Sequence, residues 1–307
     1  MKTQLNDHND RTVTLNADGA NLFEYHYRND IPAGEAPKPY FHPIRTLAGN
    51  TVTLYRPTDH PWHHALCMTI TNVSGHNFWG GKTYESGEGY RAKSDHGRQI
   101  HTGWEKLEAD GGGASMRESL DWVTNDGDCL FKEKRSVAVP PIDETSGFYI
   151  MDFEIDLENV AGRRLTLGNY HSSQGLEGSH YTGLHFRSIR GFFGARGGIF
   201  AAGGLSGEKA VHRSAAPWMA LAGHHDTTLD GSTLIFIDQP GNPDYPNHWF
   251  IREGQVQAAF PFQYAENLEL PPGDHLRLRH RIVIGNGAWT REEIEARIAA
   301  MPGFSFL

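Results

Sequence analysis

The sequence predicts an all-β protein, a large antiparallel β-sandwich closed by one C-terminal helix. Three observations carry this. Short runs of alternating apolar and polar residues recur from the N-terminus to about residue 285, turn-forming segments separate them, and the one clear helical signal comes last. The plainest strand is FYIMDFEIDLENV, where Met151, Phe153, Ile155 and Leu157 alternate with Asp152, Glu154, Asp156 and Glu158. Successive strand side chains point to opposite faces, so this segment has one buried and one wet face.

Similar runs are TVTLYR (51–56), ALCMTITNV (65–73), SLDWVT (119–124), WMALAG (218–223), TLIFID (233–238) and HLRLRHRIVI (275–284). Between them lie ADGGGAS, GGLSGE and DQPGNPDYPN, which read as turns. The 35 glycines in 307 residues are about 11%, against an average of roughly 7%, as a turn-rich β chain requires. The helix begins at Thr290, whose spacing to Glu293 is that of a capping box. Ile294 and Ile298 share one face, and Met301, Pro302 and Gly303 end it. No low-complexity linker or internal repeat divides the chain, and a single domain over 1–307 is expected.

The net charge of −9 argues against nucleic acid, whose phosphates need clustered Lys and Arg. No apolar run approaches the roughly 20 residues that span a bilayer, and MKTQLNDHND lacks the apolar core of a secretory signal. A cytoplasmic location without membrane partners is the expectation. Cys67 and Cys129 imply no disulfide framework and leave a single bridge open. No dinucleotide fingerprint, P-loop, nucleophile elbow or zincin motif is present.

Chemistry is expected where histidines cluster, because imidazole titrates nearest neutrality and is the commonest metal ligand. The segment YFHPIRTLAGNTVTLYRPTDHPWHH (40–64) holds His42, Arg45, Asp59, His60, Trp62, His63 and His64. Pro43, Pro57 and Pro61 interrupt sheet pairing there and put the polar residues on loops or strand ends. In extended chain His63 and His64 point to opposite sides, so only one of them joins His60 easily. The bland alternative is a set of turn histidines bonded to backbone. A second segment, 168–191, offers His171, Glu177, His180, Tyr181, His185 and Arg187, with His185 and Arg187 on one strand face. Its bland reading is Glu177 as a turn residue paired in solvent with Arg187. A third, GHHDTT with DYPNHWFIRE, offers His224, His225, Asp226, Asp244, His248, Trp249 and Arg252, the first three read as turn residues. Arg277, Arg279 and Arg281 read as a solvated stripe, or as a cleft lining suited to an acidic or oxidised sugar.

Five segments together carry a family resemblance: KPYFHPIRTLAGNTVTLYRPTDHPWHHAL (38–66), NFWGG (77–81), LEGSHYTGLHFR (176–187), HWFIRE (248–253) and LRHRIVIGNG (278–287). They resemble bacterial proteins carried under the label "methane oxygenase PmoA", a soluble family of unknown function distinct from the membrane copper enzyme. Members look like companions of sugar dehydrogenases and isomerases, which implies carbohydrate catabolism. The chain also resembles the galactose-mutarotase-like supersandwich, which implies a sugar held in an open cleft between histidines and carboxylates.

The leading expectation is an enzyme acting on a small sugar or sugar derivative by acid–base chemistry, as an epimerase, lyase or hydrolase. His60, His63, His64 and Glu177 are its candidate acids and bases. His42, Arg45, Trp62, Trp79, His171, His185, Arg187 and His248 are its candidate substrate contacts. One alternative is a metal-dependent oxygenase or lyase ligated by two or three of His42, His60, His63, His171 and His248; another is a non-catalytic carbohydrate-binding module. Metal, cofactor and oligomeric state stay open.

Overall fold

A computed structural model describes residues 1–192 and 197–306. Two large antiparallel sheets face each other, and the alternation read in the sequence decides which side chains fill the space between them. The first sheet runs, in spatial order, Thr3–His8, Thr12–Ala17, Ala20–His26, Tyr40–Ile44, Leu66–Thr69, Gly183–Arg187, Gln257–Phe260 and Phe250–Arg252. The second runs Leu205–Ser206, Gly198–Ala201, Trp218–His224, Gly231–Asp238, His275–Asn286, Phe148–Asn159, Cys129–Val139, Gly113–Val123 and Arg98–Asp110. Leu15, Phe23, Phe41, Leu184, Phe186 and Phe260 from the first meet Met151, Phe153, Leu221, Phe236 and Ile282 from the second in one core. Burying a side chain of this size stabilises by about 1.5–3 kcal/mol.

The second sheet has a second apolar face. Ile150, Trp218, Ala220, Ile235 and Val283 line it, and helix Arg291–Ala300 covers it with Ile294. Thr290 caps that helix in the expected box with Glu293. Two shorter helices, Tyr170–Gln174 and Glu208–Val211, also form, which periodicity did not reveal.

Most predicted strands are present, but 51–56 is not one: it makes only isolated bridges at Thr51 and Tyr55, beside the loops its prolines impose. The arginine stripe also differs from a purely solvated face. Arg277, Arg279 and Arg281 pair across strands with Asp156, Glu154 and Asp152 at 3.1, 2.8 and 2.6 Å. Arg277 is exposed, whereas Arg281 and Asp152 are buried because Arg281 also donates to the carbonyls of Pro302 and Gly303, which lay the C-terminal tail over the pair. The stripe is therefore structural. Cys67 and Cys129 are both free thiols. Among the described residues, no helix is long and apolar enough to cross a membrane.

Polar groups also cross the sandwich. Arg135 donates to Glu133 (2.6 and 2.9 Å), Tyr25 (3.2 Å) and Gln99 (2.9 Å), while Tyr25 donates to Glu118, which His101 meets at 2.7 Å. All of these side chains are buried. Removing one member of a buried charge pair typically costs about 3–5 kcal/mol, because its partner stays charged without compensation. Arg135→Met is expected to lower unfolding free energy in urea by about that amount, and Arg277→Met, at an exposed pair, by less than about 1 kcal/mol. Equal losses for the two variants would contradict this assignment.

Candidate functional site

The site is built on the outer face of the first sheet. Leu184 and Phe186 point into the core, so His185 and Arg187 take the opposite face. Arg187 lies at the sheet end and holds the histidine-rich loop by its backbone. Its carbonyl accepts from the Leu54 amide at 2.9 Å, and its amide donates to the Ala65 carbonyl at 2.8 Å. Between those anchors Tyr55 bridges His64, and 57–63 turns tightly through amide bonds from His60 to Pro57 and from His63 to His60, both 3.0 Å.

That turn delivers two imidazoles into a cleft of about 370 Å³. His60 and His63 stack with centroids 4.8 Å apart, and His63 rests edge-on against His185 at 4.8 Å and Trp79 at 5.5 Å. Trp62, Trp79, Tyr181 and Phe250 supply the apolar surface. Trp62 packs where NFWGG turns: a Cβ on Gly80 or Gly81 would come within 2.7 or 2.5 Å of it, and both glycines have positive φ (+110° and +71°). Only glycine fits there.

A hydrogen-bond chain fixes the imidazoles. The Arg187 guanidinium can only donate, so at 3.3 Å it makes His63 Nδ1 an acceptor and puts the His63 proton on Nε2. His63 Nε2 has no protein partner among the described residues. His60 has the opposite arrangement. Its Nδ1 lies 3.2 Å from Asp59 Oδ2, and its Nε2 faces the Gln255 amide nitrogen at 3.4 Å. Gln255 is oriented by Gln257, which donates to it, and Gln257 accepts from His185 Nε2 at 3.1 Å. Every donor from His185 to His60 therefore points one way, which leaves the His60 proton on Nδ1, near Asp59 but not hydrogen-bonded to it.

Charge around the site is asymmetric. Arg187 is fully buried and, among the described residues, its counter-ion is the partly exposed Asp59 at 3.5 Å; Asp59 also pairs with Arg190 at 2.6 Å. Partial burial works to raise the Asp59 pKa, but its own backbone amide, His60 and the two guanidiniums outweigh this and hold it below the usual carboxylate value. Lys38 is buried too. It donates to three carbonyls, Glu35 at 2.9 Å, Ala36 at 2.7 Å and Trp79 at 2.9 Å, and desolvation pulls it down to about 8. These cations join desolvation in keeping His63 neutral, well below its ordinary value.

Four expected site residues line the cleft: His60, Trp62, His63 and Trp79; His185 and Arg187 support it from beneath. The other six lie elsewhere. His64 points away from His63, as strand alternation requires, and meets the buried Glu35 carboxylate at 3.1 Å, which also takes both ends of the Arg56 guanidinium. His42 bonds Thr53 at 3.0 Å and Arg45 bonds Asn21. His171 and His248 stack on Tyr264 at 4.8 and 4.7 Å. Glu177 is largely exposed on Arg213 at 2.5 Å, so neither its expected role in the cleft nor an ion pair with Arg187 holds. Of the expected metal ligands only His60 and His63 come together in the cleft, and among the described residues no group of three or more His, Cys, Asp or Glu is arranged to hold a metal. Sequence reasoning missed Lys38, Lys82, Gln255 and Gln257, and held Arg252 only as a member of the third motif. Only the i, i+2 spacing of Gln255 and Gln257 hinted at a shared face.

Buried neutral imidazoles make stability depend on pH. His64, His180 and His185 are pulled down to about 3, each chiefly by desolvation. Between pH 6.5 and about 3 the unfolded chain binds protons that the folded chain refuses. Their contribution is complete above 6.5 and is lost as pH falls, by up to about 1.4 kcal/mol per pH unit for each. Thermal melts are expected to show a fall in Tm between pH 7 and 5, before ordinary carboxylates titrate. A flat Tm over that window would contradict neutral burial.

No curated protein matches the chain. Among solved structures it is similar to the alpha-galactosidase from Lactobacillus brevis, at 10% identity and a TM-score of 0.39, over 97% of this chain and 41% of that one. It is also similar to the GH36 alpha-galactosidase AgaA from Geobacillus stearothermophilus, at 10% identity and a TM-score of 0.38, over 94% and 41%. The chain spans about two fifths of the length of these enzymes, and a likeness this distant carries no argument about activity. Residues 12–299 match the family described as "Family of unknown function (DUF6807)", and a match over most of the length makes the chain a member of that family.

Proposed function

We propose that the cleft is a carbohydrate site in which His60 and His63 carry out proton transfer, as in sugar ring opening or epimerisation. The observation that carries this reading is the opposite tautomers of two stacked imidazoles. His60 accepts from the Gln255 amide at Nε2 (3.4 Å), so its proton sits on Nδ1, 3.2 Å from Asp59 but outside hydrogen-bond geometry, and its basic lone pair is on Nε2; His63, oriented through Nδ1 by Arg187, offers an Nε2–H. His60 takes a proton from a sugar hydroxyl, or from carbon beside a carbonyl. The electrons move onto oxygen, and His63 donates a hydrogen bond to the charge that develops there. Return of the proton completes an isomerisation with no atom gained or lost.

Three further features support a sugar. Trp62, Trp79 and Phe250 offer flat apolar surface for the C–H face of a pyranose. The volume lies at the small end of the roughly 300–1,000 Å³ range of ligand pockets, suited to a small molecule rather than a polymer. The likeness of 38–66 and 176–187 to proteins labelled methane oxygenase PmoA, companions of sugar dehydrogenases and isomerases, points the same way. Hydrolysis is less favoured, since it uses two carboxylates flanking the scissile bond and no Asp or Glu is among the described residues lining this cleft.

His60→Gln keeps the shape and removes the base. Proton NMR in D₂O over a panel of aldoses and ketoses should show anomer or C–H exchange with the wild-type protein, reduced about 10²–10⁴-fold in the variant. A reduction below about threefold would remove His60 from the chemistry. If the wild type exchanges nothing in the panel while Trp79→Ala abolishes sugar binding, the cleft is a binding module.

A further inference from the structure

The charges on the cleft wall specify the ligand further. Two charged side chains, Lys82 and Arg252, are among the described lining residues, and both are cationic, although the whole chain carries −9. Lys82 is exposed and has no ion-pair partner among the described residues. Arg252 is held in place and only loosely ion-paired. Its guanidinium lies over the Phe250 ring at 4.8 Å and donates to the carbonyls of Ile251 at 3.1 Å and Gly178 at 3.2 Å. Its nearest carboxylate, Glu208, is 3.7 Å away, beyond hydrogen-bond reach. A guanidinium has five N–H donors, so this anchoring leaves donors free for a planar or tetrahedral anion. Beneath the floor, Nε and Nη2 of the fully buried Arg187 have no hydrogen-bond partner, though Nη2 stands 3.5 Å from Asp59. Tyr90 and Tyr181 add hydroxyls 2.9 Å apart at the same wall. No carboxylate is among the described lining residues of this wall of cations, hydroxyls and aromatic plates, and its positive charge is only partly matched: among the described residues Lys82 has no ion pair and Arg252 a loose one.

We infer that the ligand of this cleft is an anionic sugar, one whose carboxylate or phosphate group pairs with Arg252 and Lys82 while its ring lies against the aromatic plates beside His60 and His63. This rests on the carbohydrate reading above and adds the charge. An electron-withdrawing carboxylate also acidifies the adjacent C–H, which suits the base assigned to His60.

Thermal-shift titrations at matched ionic strength test it with glucuronate, galacturonate and gluconate, with glucose 6-phosphate and galactose 1-phosphate, and with glucose and galactose. Succinate and inorganic phosphate serve as anions without a sugar ring. The expected result is a concentration-dependent rise in Tm with at least one sugar acid or sugar phosphate and at least tenfold weaker apparent affinity for its neutral parent. The carboxylate and phosphate arms separate the two sources of charge. Lys82→Gln, at an exposed position, and Arg252→Gln should each reduce that preference severalfold. Equal shifts with charged and neutral sugars, or a preference unchanged in both variants, would overturn the anionic assignment while leaving the carbohydrate reading standing. Shifts with succinate or phosphate matching those of the sugar anions would keep the charge preference and overturn the carbohydrate reading. No shift with any compound overturns both.

Discussion

The candidate site depends on one residue, Arg187, acting through backbone and side chain together. Its amide and carbonyl hold the two flanks of the histidine loop at Ala65 and Leu54, and its guanidinium reaches Asp59 and His63 within that loop. The loop cannot be held by a sheet ladder, since Pro57 and Pro61 lack the donors and fix the backbone. A buried arginine supplies the missing order and at the same time sets which nitrogen of His63 carries the proton. Lysine would bring the charge without the planar fork that reaches both partners.

Burial of positive charge then shapes the chemistry. Lys38 is tolerated because all three ammonium protons meet carbonyl oxygens, and in doing so it ties the loop at Glu35 and Ala36 to Trp79 of the cleft wall. Desolvation first, then the neighbouring imidazoles, and then the guanidinium and ammonium behind the floor make protonation of His63 unfavourable. An imidazole kept neutral can polarise an oxygen without surrendering its proton, and in the proposed reaction this leaves the part of base to the neighbouring His60. Two histidines three residues apart therefore have different environments and complementary tautomers.

The sandwich explains why the site lies where it does. Both inner faces are consumed by the core, and on the outer face of the second sheet the C-terminal helix covers the apolar part, around Ile150, Ile235 and Val283, while the cross-strand pairs of Arg277 and Arg279 occupy another part. The outer face of the first sheet near Gly183–Arg187 carries His185, Arg187 and Gln257 in place of an apolar layer, and the loops around 57–63 and 77–81 rise over it. A rigid sheet beneath and short braced loops above give a preformed cleft.

The sequence by itself determined the strand-rich architecture, the terminal capped helix, and the neighbourhood of His60, Trp62 and His63. These follow from local causes: a period of two, a box of two side chains, and prolines beside histidines. It also placed His185 with Arg187, since alternation fixes a shared face. Tertiary structure alone decided which histidine-rich segments meet. His171 and His248 were drawn to Tyr264, His64 turned to Glu35, and Glu177 went to solvent, while Gln255, Gln257, Arg252 and Lys82 arrived at the cleft from distant segments. Composition shows that a residue can ionise or coordinate. Its partner, and with it the proton's position and the sign of the local charge, comes from long-range strand pairing, which no local pattern records.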